Sequence, residues 1–281
     1  MIIKRLLWGL SVGICLPALA GEASVNEVSF YKGEVGSSPV SMSLSVSNGV
    51  VSGRYIYDKY NTPILLSGEI KLGGVFLREG DAKKFSLLQK RESLNGVWSD
   101  GVSTYAVNLR EEGESYKDII EYISGSTEKL IIKFRSGMVQ EIPISIAEDS
   151  LNLTFEDFNF DGFPDLRVLA AGGISNSTYL YYEYDPAGRR FVQSSNRMDE
   201  VNNPKVMHAR KIVAGLSREG CCSYKIILIG KNSELTAAYD YSKDSGYKVY
   251  AIHGEKKGIR EGISRSYFEK NFMEVYESNV P

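Results

Sequence analysis

Between residues 28 and 146, apolar and polar residues alternate in short runs, each ended by a turn sequence, and this pattern constrains the fold more than any other feature. Residues 40–45 read Val-Ser-Met-Ser-Leu-Ser. Successive side chains of a strand point to opposite faces, so a period of two predicts a strand with one buried face and a solvated face of Ser41, Ser43 and Ser45. Residues 52–57, 64–70, 75–79, 84–89, 96–99 and 105–109 continue the pattern, broken at Asn48-Gly49, Gly73-Gly74, Glu79-Gly80-Asp81 and Asn95-Gly96. The composition agrees: 27 Gly against 8 Pro and 18 Tyr against 2 Trp suit a turn-rich antiparallel sheet protein, not a helical bundle.

The same pattern resumes after residue 148, with strands expected at 151–155, 166–170, 178–185, 190–193, 211–216, 223–229, 235–241 and 247–252. Residues 130–134 and 139–146 read as a hairpin closed at Ser136-Gly137, and 114–123 as either a short helix or a strand. The fold class expected is therefore all-β, with antiparallel meander, propeller-like or sandwich sheets in two regions, 21–147 and 148–255. These are read either as two domains or as one continuous sheet system. Over 256–281 the spacing changes. Ile259, Ile263, Tyr267, Phe272 and Val275 recur at helical intervals among charged residues, which predicts an amphipathic helix laid on the sheet.

The first twenty residues carry Lys4 and Arg5, an apolar run and a closing Ala18-Leu19-Ala20, the pattern of a cleavable secretory signal. Its apolar run is shorter than the ~20 residues a membrane-spanning helix needs. Ile14 precedes Cys15 where a lipoprotein signal wants a small residue. A soluble periplasmic protein is expected, and loss of Lys4 and Arg5 takes the formal charge from −2 to −4. Such a balance gives no strong bulk field for nucleic acid or an anionic membrane. The mature chain keeps two adjacent cysteines, Cys221 and Cys222. They are read equally as a vicinal disulfide or as two structural thiols.

The run Asp157-Phe158-Asn159-Phe160-Asp161-Gly162-Phe163-Pro164-Asp165 carries the clearest chemistry. Oxygen donors at alternate positions, followed by a glycine for a sharp turn, meet the needs of Ca²⁺, which takes six or more oxygens. Side chains of Asp157, Asn159, Asp161 and Asp165 and the carbonyl of Phe163 are the expected ligands. The competing reading is an acidic turn capped by its own side chains. Calcium is favoured because carboxylates gathered beside Phe158, Phe160 and Phe163 repel one another unless a cation neutralises them. The ion is expected to be structural. No serine-hydrolase elbow, zinc-protease helix or phosphate-binding glycine loop is present, and the two histidines, His208 and His253, lie in unrelated contexts. The chain is not expected to be an enzyme.

The run from Phe155 through Leu166, then Gly173-Ile174-Ser175-Asn176-Ser177-Thr178-Tyr179, Tyr184-Asp185-Pro186 and Phe191-Val192, resembles the calcium-binding immunity proteins of antibacterial type IV secretion systems. These are similar to the periplasmic inhibitor of I-type lysozyme. The N-terminal half also looks like a common periplasmic β module, with Gly53-x-Tyr55-x-Tyr57, Leu66-x-Gly68 and Gly96-x-Trp98 in order. The resemblance implies an all-β inhibitor whose protruding loop plugs the cleft of a secreted peptidoglycan hydrolase or lysozyme-like effector. Carried over by position, the loop before Tyr179 is the candidate, with Ser175, Asn176, Ser177 and Tyr179 as contacts. The chain departs from the family in lacking a lipid-anchor signal and the plain S-G-x-x-Y pattern, and in having Cys221-Cys222. The alternative is a calcium-stabilised envelope module that recognises glycan or another envelope protein.

Overall fold

The computed structural model describes residues 23–194, 197–231, 233–252, 258–278 and 281. The expected signal over 1–20 and His253 lie outside them. Eight strands follow one another as antiparallel neighbours: β1 (Ser24–Val35), β2 (Ser38–Ser47), β3 (Val50–Tyr57), β4 (Ile64–Lys71), β5 (Gly74–Glu79), β6 (Lys83–Lys90), β7 (Ser93–Ser99) and β8 (Thr104–Glu111). Strand β8 returns to pair with β1, from Tyr31 opposite Glu111 to Val35 opposite Val107, and closes a barrel. Closure satisfies the ladder groups that an open meander leaves at its edges. Inside lie Met42, Leu44, Tyr55, Leu77, Phe85, Leu87, Leu94 and Val107, one face of each alternating run. Two motif glycines have a steric reason: a Cβ on Gly68 or Gly96 would stand 1.9 or 2.1 Å from the carbonyl oxygen of Phe76 or Ser86 on the next strand.

Strand β1 serves two structures. Its first half pairs in parallel with β12 (Asn152–Glu156), Ser24 opposite Asn152 through Glu27 opposite Phe155, an exception to the antiparallel expectation. From β12 the sheet runs on through β13 (Asp165–Ala171), β14 (Thr178–Asp185) and β15 (Arg190–Gln193). Residues 114–123 turn out to be both of the elements considered, a single helical turn, α1 (Tyr116–Ile119), running into β9 (Ile120–Gly125). With β10 (Lys129–Phe134) and β11 (Val139–Pro143) it forms a three-stranded sheet. Leu130, Ile132, Phe134 and Ile142 of this small sheet share one core with Leu153, Phe155, Leu166 and Phe191 of the larger one. The expected division at 147/148 therefore cuts through a core.

A third sheet is a six-stranded meander of β16 (Lys205–Met207), β17 (Ile212–Arg218), β18 (Ser223–Gly230), β19 (Ser233–Asp240), β20 (Ser245–Ile252) and β21 (Ile259–Ile263). The tail differs in detail from its periodicity. Residues 259–263 are the edge strand β21, and the helix, α2, begins only after the Ser264 cap, as Arg265–Phe268, a π turn over Glu269–Met273, and Glu274–Glu277. Its buried stripe is Phe268, Phe272 and Tyr276 against Ala237 and Tyr239, while Tyr267 is exposed. Pairing with β20 took the first two apolar residues of the expected stripe, Ile259 and Ile263, into the sheet. Among the described residues, no helix is long and apolar enough to cross a membrane.

One face expected in solvent is covered. Ser41 and Ser43 are buried because the outer surface of β1–β4 meets the other sheets: Phe30 stacks on His208, and Arg54 reaches the carbonyl of Val206.

Candidate functional site

The acidic loop joins β12 to β13 at the point where all three sheets converge. Its aromatic residues anchor it: Phe158 packs edge-on against Tyr181 in a core shared with Val206, Val213 and Ile227 of the third sheet, and Phe163 contacts Tyr184. Phe160 and Gly162 both adopt positive φ, which makes the sharp reversal the sequence predicts there. The outer turn is tied to the chain leaving the barrel, with the N–H of Glu114 donating to the carbonyl of Gly162 at 2.9 Å.

Within the loop, oxygens point inward and meet backbone N–H groups. Asp157 accepts from Asp161 at 3.1 Å and Gly162 at 2.9 Å, Asn159 from Asp161 at 3.0 Å, and Asp161 from Phe163 at 2.9 Å. Asp165 lies beneath, fully buried, one oxygen accepting from Phe158 and Asn159 at 3.1 Å each and the other from Tyr184 at 3.0 Å. Burial pushes the Asp165 carboxyl up to about 9, with Asp157 and Asp161 adding to the rise and the Tyr184 and Asn159 N–H groups opposing it. Burial also raises Asp157, and Asp161 raises it further. Among the described residues, no three His, Cys, Asp or Glu side chains are gathered as a metal-binding group. The donor set nevertheless fits a hard cation. Each carboxylate oxygen has two lone pairs and the backbone N–H groups take only some of them, while a positive charge would relieve the mutual repulsion of Asp157, Asp161 and Asp165.

The next connection, between β13 and β14, holds the expected inhibitory contacts, but the chain uses most of them itself. Asn176 pairs with the backbone of Arg218 in both directions, donating to its carbonyl at 3.0 Å and accepting from its N–H at 2.8 Å. Ser177 exchanges bonds with Asn203: its N–H donates to Asn203 Oδ1 and its carbonyl accepts from the Asn203 N–H, each at 3.0 Å. Tyr179 is half-buried, with the Arg167 guanidinium 5.5 Å from its ring centroid. Asn176, Ser177 and Tyr179 thus form the base of the loop. Its exposed part is 172–175, with Ile174 entirely in solvent and Ser175 beside it.

Sequence reasoning missed Asn203, which organises this base. Its side-chain amide donates to the carbonyls of Ser175 and Leu216, both at 2.9 Å, and its own carbonyl accepts from the Tyr276 hydroxyl at 2.8 Å. Only the Asn202-Asn203-Pro204 turn signal marked it. The hairpin tip after Arg218 carries Cys221 and Cys222, which are paired as a vicinal disulfide with Cα atoms 3.8 Å apart.

A buried ionic cluster also went unseen. Glu156, beside the acidic loop, lies 3.2 Å from Arg167 and 3.5 Å from His208. Burial alone would raise the Glu156 carboxyl, but Arg167, His208 and Arg54 outweigh it and hold it below the ordinary range. His208 is buried between Phe30 and Phe160, so its place is structural. No protein-family model matches this chain, and no curated protein does either.

Proposed function

We propose that the mature chain is a periplasmic immunity protein, an inhibitor that binds and blocks a peptidoglycan-cleaving, lysozyme-like toxin. The observation that carries this reading is the presentation of the 172–175 tip: an apolar Ile174 stands in solvent on a base clamped by Asn176 and Asn203. A loop fixed before binding loses little conformational entropy when it enters a cleft, so its contacts count almost fully towards affinity. Ile174 is the wedge, Ser175 supplies a hydroxyl and backbone groups of the kind that a sugar-binding cleft hydrogen-bonds, and Asn176, Ser177 and Tyr179 hold the shape.

In this reading calcium is structural. Asp157, Asn159, Asp161, Asp165 and the carbonyl of Phe163 would hold it, and the ion would supply charge neutralisation at the junction that supports β13 and β14. The chain acts by occupying a cleft and catalyses nothing. Ile174→Asp tests the wedge. Inhibition of the target hydrolase should weaken by about tenfold or more while the melting curve stays unchanged. Full inhibition by that variant would remove the tip from the assignment.

A further inference from the structure

Where the barrel, the second sheet and the third sheet meet, they enclose a cleft of about 440 Å³. That is within the size range of small-molecule sites. Its barrel wall is the outer face of β2 and β3, with Ser43, Ser52 and Arg54; the opposite walls contribute Glu156, Arg167 and Lys205. From these residues we infer that the cleft binds a small organic anion, whose carboxylate or phosphate group takes the cations and whose hydroxyls meet the serines.

The charge inventory is one-sided. Three cations line the cleft against a single carboxylate, and that carboxylate is shared: Arg167 contacts Glu156 at 3.2 Å, and Arg54 is attracted to it from farther off while donating a long 3.4 Å bond to the Val206 carbonyl. A guanidinium has five N–H donors in a planar fork suited to a two-oxygen acceptor. Both arginines also bury an Nε that finds no acceptor among the described residues. Lys205 is committed to the Tyr276 carbonyl at 2.9 Å and to the face of that ring, so its charge is held in place. Burial lowers its proton affinity and Arg54 lowers it further, while Glu277 opposes both. Two guanidiniums that share one carboxylate and have buried N–H donors left over are costly, and a site built this way gains most from an anion with two or more oxygens.

The site is separate from the 172–175 tip, so its test is independent of the inhibitor reading. Mature protein in calcium-free buffer is titrated calorimetrically with inorganic phosphate, with citrate, and with glycerol as a neutral polyol. One-to-one saturable binding of phosphate or citrate, with none of glycerol, is expected, and whichever anion binds more tightly identifies the class. Arg54→Gln and Lys205→Gln should each weaken binding by about tenfold, the size of one charge-assisted hydrogen bond. Glu156→Gln should tighten it, a gain that damage to the fold cannot imitate. Absence of saturable binding for both anions, or affinity unchanged in Arg54→Gln and Lys205→Gln, would overturn the assignment. Should Glu156→Gln fail to fold, the other two variants decide alone.

Discussion

Replacing Asn203 with alanine is the sharpest test of how the exposed tip is held. The substitution removes three side-chain hydrogen bonds, to the carbonyls of Ser175 and Leu216 and from the N–H of Ser177, each between 2.9 and 3.0 Å. Each such bond contributes about 0.5–1.5 kcal/mol net, and the half-buried position leaves water to replace part of what is lost. Asn203 also sits at φ +46°, a left-handed conformation that asparagine tolerates and alanine adopts at an added cost of roughly 1 kcal/mol. The expected destabilisation is about 2–4 kcal/mol, read as a shift of the urea midpoint at unchanged slope. The variant should also inhibit more weakly than its residual stability accounts for, because a loosened tip must be ordered on binding. A loss below about 0.5 kcal/mol together with undiminished inhibition would refute both the clamp and its role.

Three further outcomes follow from other parts of the molecule. Calcium at a hundred times its dissociation constant should stabilise the protein by about 2.7 kcal/mol, and a chelator should remove that increment from the melting curve; Asp161→Ala should lose the response, and equal melting with and without calcium in the unmutated protein would exclude the ion. At the end of the barrel, Glu79 accepts from Tyr55 at 2.6 Å, Trp98 at 3.2 Å and Lys83 at 2.7 Å. Burial there works to raise the Glu79 carboxyl, but the bonds from Lys83, Tyr55 and Trp98 outweigh it and hold it low, so its contribution is complete above the unfolded value near 4.5 and is lost as pH falls through the lower folded one. Glu79→Ala should cost about 2–3 kcal/mol at neutral pH and flatten the acid limb of a stability–pH curve below about 4.5. Phe268→Ala should cost about 3–5 kcal/mol in denaturant unfolding, since that ring is completely buried between α2 and the third sheet.

The strands of this protein were legible because each carries its own alternation and its own turn. Long-range closure was not, since nothing local in β1 tells that Tyr31 to Val35 pair with β8 while Ser24 to Glu27 pair with β12. The serines of β2 illustrate the same limit: alternation placed Ser41 and Ser43 on the face away from the barrel core, and only the docking of the other sheets buried that face. In the tail, the apolar residues at helical spacing included Ile259 and Ile263, which a partner strand claimed. The acidic loop was readable as a feature because its oxygen-bearing residues, Asp157 to Asp165, are contiguous. The base of the exposed tip was not, because Asn176 and Asn203 act on carbonyls and N–H groups far away in the chain, at Arg218 and Leu216. The junction cluster was equally hidden: Arg54, Glu156, Arg167 and Lys205 belong to four different strands, and only folding brings them to one cleft.

The central claim is inhibition by occupation of a hydrolase cleft, and the rate of peptidoglycan clearing measures it most directly. The purified mature chain, with calcium present, is titrated into lysozymes of different types and into secreted bacterial peptidoglycan hydrolases. The account expects clearing by at least one of these enzymes to fall to background near one equivalent of protein. Undiminished clearing by every enzyme at a large molar excess, with the chain instead bound to the cell-wall glycan, would contradict it.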